Sequence, residues 1–375
     1  MPYNLKERKL DSHFCKEDIQ NVKKLINSSV SFTIVGMPGV GISIFLRYLT
    51  TKKGAHFVHV DIYELTKLNK LHLFKLLLKE LGVRSKVKQD EQILLESCKK
   101  QLKIAILKHK KVVIAFNRLD QLKDEFDIDF FNNLRTLRDI DKEKIVMIFT
   151  ANKPLSNYLS KKIDIGNLYM YSKTYYFKPY SKKDLKRLLK VNAPDLKVSK
   201  KFLTKALTLS GGHYQLLLLL LNSEIRNNPI LDQFIKLQLN KLYDNLNYLQ
   251  KKQVVKIAQK KKILKIDKSL TNLGLIKLYK GSYRIFTPLL DNSVLTNLII
   301  KFTPKESVVY KLLKKNIGKI VYKEDLFDAL WENPEKSSDW ALNSIIYRLR
   351  KNPAFINYGY IIENHKKIGY SLAKI

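Results

Sequence analysis

The run Ile34-Val35-Gly36-Met37-Pro38-Gly39-Val40-Gly41-Ile42-Ser43 decides how the first half of the chain is read. Its glycines and its closing hydroxyl have the spacing of a phosphate-cradling loop. In such a loop glycine lets backbone amides approach an anion, and the hydroxyl reaches Mg²⁺. The flanks agree: residues 30–35 are a short apolar run bounded by Gly36, as a buried strand should be, and residues 43–49 continue as an apolar helix. Ile42 stands where that motif carries lysine. The main side-chain charge for the β- and γ-phosphates is therefore missing, while backbone amides and the helix N-terminus remain available to an anion.

Working outward, residues 16–29 read as a helix, residues 56–62 as a strand carrying Asp61, and residues 71–81 and 92–108 as helices. Residues 111–116 and 144–149 are unbroken Val, Ile, Met and Phe, the pattern of strands covered on both faces. Strands alternating with helices predict a parallel sheet. The strand at 112–116 should deliver an acidic pair for Mg²⁺ and water; it delivers Asn117 and Arg118, with Asp120 the one acid nearby. Thr150-Ala151-Asn152 ends the next strand with polar groups. From residue 180 to 221 the pattern is helical, opened by Ser181 as N-cap and broken at Gly211 and Gly212. With the lysine and both acids replaced, phosphoryl transfer lacks its electrostatic stabilisers, and the chain is not expected to be an enzyme.

Residues 231–259 read as one or two helices, and residues 263–275 hold another that ends near Gly274. Residues 276–287 alternate around Lys280 and Gly281 as a hairpin would. That is winged-helix order. A second such unit opens at Thr303-Pro304, where threonine caps and proline occupies the first turn. Its first helix, 304–315, is expected to bury Val308, Val309, Leu312 and Leu313. After a strand at 320–321 and a helix at 323–331, the helix 339–351 turns Ala341, Leu342, Ile345, Ile346 and Leu349 inward. It leaves Trp340, Asn343, Ser344, Tyr347, Arg348, Arg350 and Lys351 for the major groove, where arginines read guanine edges or hold phosphates and Asn343 pairs with adenine. Residues 358–362 and 368–372 form a hairpin whose basic tip, 364–367, offers His365, Lys366 and Lys367.

This last segment resembles the OmpR/PhoB-type DNA-binding domain in four places: Phe302-Thr303-Pro304-Lys305-Glu306, Trp331, Ile346-Tyr347-Arg348-Leu349-Arg350-Lys351 and Ile368-Gly369-Tyr370-Ser371-Leu372. Trp340 stands where that family usually places arginine, so base preference does not carry over. The phosphoacceptor pattern of a receiver is not where a two-component regulator would need it, which disfavours that arrangement. The earlier segment, with Phe177-Lys178-Pro179-Tyr180-Ser181 and Ser210-Gly211-Gly212-His213-Tyr214, resembles the core and lid of AAA+/STAND ATPases, in a degenerate form. Together the resemblances imply a multidomain α/β plus α+β chain: a parallel-sheet P-loop NTPase-like core at 1–176, a helical lid at 177–228, a middle winged helix at 229–299 and a C-terminal winged helix-turn-helix at 300–375. They imply ATP or ADP as cofactor, with Mg²⁺ as the one metal, held by Gly36, Pro38, Gly39, Gly41, Ile42, Ser43, Asp120, Asn152 and His213.

The net charge of +36 points to a polyanionic partner, because cations that neutralise phosphates release condensed counterions. The excess is spread evenly: residues 301–375 carry 14 basic and 8 acidic residues, net +6, and residues 1–300 carry 56 and 26, net +30. A uniform lysine excess beside many Ile, Asn and Tyr is also what an A+T-rich genome produces. Charge alone therefore argues solubility and non-specific attraction. The basic stretch 251–268 reads as a solvated helix face, and the seven histidines show no metal-ligand spacing. Two cysteines, Cys15 and Cys98, fit a reducing compartment, and no apolar run approaches the ~20 residues of a membrane span, so a cytoplasmic protein without membrane contact is expected. The leading expectation is a transcriptional regulator on double-stranded DNA, with RNA polymerase and further copies of itself as partners. The alternatives are an ATP-dependent switch or DNA-remodelling ATPase, in which Arg47, Lys52 or Lys53 replaces the missing lysine, and a non-catalytic interaction scaffold.

Overall fold

The computed structural model describes residues 6–83, 90–158, 171–225, 228–263, 265–298, 302–331, 338–352, 360–366 and 368–374. The first elements are α1 (Lys16–Asn27), β1 (Phe32–Gly36), α2 (Ile42–Thr50), β2 (His56–Asp61), α3 (Lys70–Glu80) and α4 (Glu91–Lys108). They are followed by β3 (Val112–Asn117), α5 (Ile128–Arg138), β4 (Ile145–Ala151) and β5 (Thr174–Phe177). The five strands form one sheet in the order β2-β3-β4-β1-β5, all parallel. β3 and β4 are buried along their whole length because helices cover both faces, and this is why their sequences lack alternation. On one face Val58, Ile114, Phe116, Met147 and Phe149 meet Leu73, Phe74, Leu94, Phe130 and Leu134 of α3, α4 and α5.

The sequence reading missed α5 and β5. Asp127 caps α5 by accepting the Phe130 amide at 2.7 Å, a start signal that the run Ile128-Asp129-Phe130-Phe131-Asn132-Asn133 obscures. β5 lies at the sheet edge against β1, and its Thr174-Tyr175-Tyr176 are only half-buried, so they lack the apolar run of an inner strand. Tyr175 donates its hydroxyl to Asp18 at 2.6 Å. Because the chain leaves β1 for β2 across two intervening strands, the sheet reverses direction beside β1. Its carboxyl end there is the place where open α/β sheets bind ligands.

The lid helices are α6 (Lys182–Asn192), α7 (Lys200–Leu209) and α8 (Tyr214–Asn222), followed by α9 (Gln233–Asp244). Ser181 caps α6 as expected, and Gly211 and Gly212 take positive φ before α8. Then come α10 (Tyr248–Ala258), α11 (Lys268–Asn272), β6 (Ile276–Tyr279), β7 (Ser282–Ile285) and α12 (Pro288–Leu298). Lys280 and Gly281, between the two strands, both have positive φ, as a tight two-residue hairpin turn requires. By internal contacts the chain divides into two units, Met1–Asn245 with Asp267–Gly281, and Leu246–Ile266 with Ser282–Ile375.

The C-terminal elements are α13 (Pro304–Lys315), β8 (Ile320–Tyr322), α14 (Lys323–Leu330), α15 (Asp339–Lys351), β9 (Tyr360–His365) and β10 (Gly369–Lys374), with the sheet in the antiparallel order β8-β10-β9. Their core gathers Val309, Leu313, Leu326, Leu342, Ile346 and Leu372. One expectation fails here: Val308 is 36% exposed, because the inward line of α13 runs through Glu306, Val309 and Leu313. The expected strand start at residue 358 lies outside the described residues, and β9 extends to His365, so Asn364 and His365 belong to a strand rather than to the tip.

Candidate phosphate cleft and DNA-reading face

The loop between β1 and α2 keeps the shape its glycines predict. Gly39 and Gly41 have φ of 83° and 112°, and Val40 donates its amide to Met37 at 3.0 Å. Its carbonyls are held from behind. Pro38 O accepts from Gln238 Nε2 at 2.7 Å and from His213 Nε2 at 3.0 Å, Gly39 O from the Gln215 amide at 3.1 Å, and Gly41 O from the Tyr180 hydroxyl at 2.8 Å. The amides of Ile42 and Ser43 head α2, where no intrahelical acceptor exists. The loop borders a cleft of about 650 Å³, whose lining includes Arg47, Tyr63, Arg118, Asp120, Asn152, Gln215, Gln238 and Lys241. That volume suits a nucleotide.

Several expected residues take other places. His213 is fully buried beneath the loop and does not line the cleft: its Nδ1 accepts the Leu216 amide at 3.2 Å as the cap of α8, which leaves Nε2 to carry the proton given to Pro38. Burial pushes its pKa down to about 4. Gly36 is also buried, and a Cβ there would lie 2.8 Å from Ile42 Cδ1. Pro38, Gly39, Gly41, Ile42, Ser43, Asp120 and Asn152 do line the cleft. Asp120, however, accepts both the backbone and side-chain N–H of Asn152, at 3.1 and 2.8 Å, and burial raises its pKa. The two side chains brace the end of β4.

At the acidic positions Asn117 is fully buried. Its Oδ1 accepts from Ser43 Oγ at 3.1 Å and Thr150 Oγ1 at 3.0 Å, and its Nδ2 donates to Asp61 Oδ2 at 3.0 Å. Arg118, held at φ 63°, pairs with Asp61 Oδ1 and lies over the Tyr63 ring at 3.8 Å. A divalent ion here would meet an amide and a guanidinium, with Asp61 already bonded to both. The residues do not fit Mg²⁺, and among the described residues no group of three or more His, Cys, Asp or Glu is placed to hold a metal. Of the suggested lysine substitutes, Arg47 lines the cleft but is paired with Glu7 at 2.8 Å, and Lys52 lies over the Tyr48 ring at 3.6 Å. The sequence reading missed Lys241 and Gln238, which reach the cleft from α9; nothing in their local sequence distinguishes them from a solvated helix face.

In the C-terminal unit α15 exposes Trp340, Asn343, Tyr347, Arg348, Arg350 and Lys351, with Ser344 half-buried. Lys323 at the head of α14 donates to Asp339 at 2.8 Å and ties the two helices. A concavity of about 560 Å³ is lined by Trp340, Asn343, Ser344, Tyr347, Arg348, Arg350, Asn364 and Tyr370 among others. The arginines do more than point outward: Arg348 Nε donates to the buried Glu306 at 2.9 Å, and Arg350 Nε to the Ile362 carbonyl at 3.1 Å. Glu306 also closes the capping box with Thr303, so one carboxylate links the first and third helices. His365 is hydrogen-bonded to Ser371 Oγ at 2.8 Å, Lys366 is exposed, and Lys367 lies outside the described residues.

Residues 297–372 match the family described as transcriptional regulatory protein, C terminal, and residues 27–159 match the family described as AAA domain. The chain thus joins an OmpR/PhoB-type winged-helix domain, the kind that marks DNA-binding transcriptional regulators, to a P-loop ATPase-like module. None of the curated proteins matches it. Among solved structures it is similar to a Walker-type ATPase of Pyrococcus abyssi, at 15% identity over 77% of this chain and 97% of that one, TM-score 0.48. Two others are from Aeropyrum pernix. The ORC2 protein, described in ADPNP-ADP complexes, shares 11% identity over 77% and 96%, TM-score 0.45. The ORC1 protein in complex with DNA shares 10% over 100% and 91%, TM-score 0.44.

Proposed function

We propose that this protein is a cytoplasmic transcriptional regulator whose C-terminal winged helix binds promoter DNA, and whose degenerate P-loop module holds ADP or ATP as a sensing or assembly part without hydrolysing it. The observation that carries the reading is the regulatory-domain match at 297–372, together with the exposed, cation-flanked face of α15. Among the described residues no helix is long and apolar enough to cross a membrane, and both cysteines are free and buried. Four modules, 1–176, 177–228, 229–299 and 300–375, complete the reading. One winged helix grips DNA weakly, so self-association on paired half-sites supplies avidity, and RNA polymerase is the downstream partner. For the P-loop module, the reading rests on the preserved loop geometry beside Asn117 and Arg118: a cradle for phosphates without the acids that would drive turnover.

The test is selection of bound duplex from a random pool at physiological salt, with the intact chain and with a chain ending at residue 300. Enrichment of a motif that the shortened chain loses is the expected result. Enrichment of the same motif by both chains would overturn the assignment of DNA binding to the last domain.

A further inference from the structure

Trp340, Asn343, Ser344 and Tyr347 share one face of α15 by helical spacing. Trp340 is 79% and Tyr347 58% exposed, two large rings left in water on the helix that carries the proposed DNA contacts. Around them the chemistry is cationic, with Arg348, Arg350 and Lys351 on the same helix, Lys366 in the turn after β9, and a net +6 over residues 301–375. That surrounding suits a polyanion as the occupant of the face. Arg348 and Arg350 are each tied to the domain through Nε, to Glu306 and to the Ile362 carbonyl, which fixes one edge of each guanidinium and leaves its terminal N–H groups for phosphate. Asn343 is oriented from behind: the buried Tyr370 donates its hydroxyl to Asn343 Oδ1 at 2.5 Å. The amide oxygen keeps a second lone pair, and its Nδ2 remains a donor of defined direction.

We propose that this face reads A·T base pairs: Trp340 and Tyr347 pack on thymine C5-methyl groups, and Asn343, positioned by Tyr370, accepts from adenine N6 and donates to N7. Only A·T pairs carry a methyl in the major groove, and only adenine presents a donor beside an acceptor on its purine edge; guanine shows two acceptors. Arg348, Arg350 and Lys351 then hold backbone phosphates, which sets register without reading sequence. The inference rests on the DNA-binding reading above and specifies what that site recognises.

The experiment uses the full chain and the duplex it selects from the random pool. Binding is measured to that duplex and to a copy with the thymines of its core replaced by deoxyuridine, for the natural protein, Trp340→Ala and Tyr347→Ala. The expected result is a core rich in A·T pairs. Deoxyuridine should weaken the natural protein about fivefold or more and have little further effect on Trp340→Ala. Trp340→Arg, which places a guanine-reading side chain there, should move the selected core toward G·C. A selected core of G·C pairs, or equal sensitivity of the natural protein and Trp340→Ala to methyl removal, overturns the inference and leaves DNA binding intact. Failure to enrich any motif overturns the DNA-binding reading as well.

Discussion

The two motif-bearing regions have diverged in opposite ways. In the P-loop module the backbone shape is kept while the motif side chains differ: Gly39 and Gly41 hold their positive φ, and Ile42, Asn117 and Arg118 stand where the motif carries a lysine and two acids. In the winged helix the motif side chains are kept, but several of them build the domain. Glu306 and Arg348 pin α13 to α15, Tyr370 holds Asn343, and Gly369 lets β10 approach β8. A sequence motif therefore mixes scaffold and chemistry, and the two can be separated by asking what each side chain touches.

The sharpest way to break the comparison is at Gly369. A Cβ there would lie 2.0 Å from the Val321 carbonyl oxygen, a backbone atom that cannot move without parting β8 from β10. Gly369→Ala is expected to destabilise the C-terminal domain by about 3 kcal/mol or more, read by denaturant unfolding. A change below ~1 kcal/mol would mean the glycine marks something other than close strand approach.

His213 offers the corresponding test in the other unit. Its pKa falls from an ordinary 6.5 to about 4 on folding, so the unfolded state binds the extra proton between those values. Stability from this group is complete above pH 6.5 and is lost as pH falls toward 4, on the order of 3 kcal/mol in all. In His213→Asn, which retains a capping side chain, that part of the acid sensitivity should vanish. Identical pH profiles for the two proteins would sink the role given to the ring.

A smaller effect is expected at Arg118. ADP binding, followed by calorimetry, should be unchanged when Mg²⁺ is replaced by EDTA. It should weaken about tenfold in Arg118→Ala, which leaves Asp61 without its cation beside the phosphates. Strict dependence on Mg²⁺ would show that the site keeps a metal despite Asn117. Smallest is Glu306→Gln, which removes the charge pairing with the half-exposed Arg348 but preserves a capping amide; about 1 kcal/mol of stability is expected to go, with the selected DNA motif unchanged. A changed motif would return Arg348 to base reading.

Much of this was legible in the chain. Inner strands such as β3 and β4 declare themselves because both faces are covered, and the caps at Ser181 and Thr303 mark their helices through a local bond to the backbone. Edge strand β5 was not legible, since its tyrosines are half-solvated and one is satisfied by Asp18, over 150 residues earlier. Asn117 and Arg118 could be read as losses but not as replacements. That Asn117 takes the Ser43 hydroxyl and that Arg118 pairs with Asp61 requires β2, β3 and α2 to be side by side.

By itself the sequence determined the inner strands, the capped helices and the identity of the motifs, because apolar period, capping and glycine placement act within a few residues of one another. Only the tertiary structure decided what the motif side chains do. Glu306 and Arg348 are 42 residues apart and Pro38 and His213 are 175 apart, and whether a charge is engaged by its own domain or turned toward a ligand depends on which groups folding brings within hydrogen-bond reach.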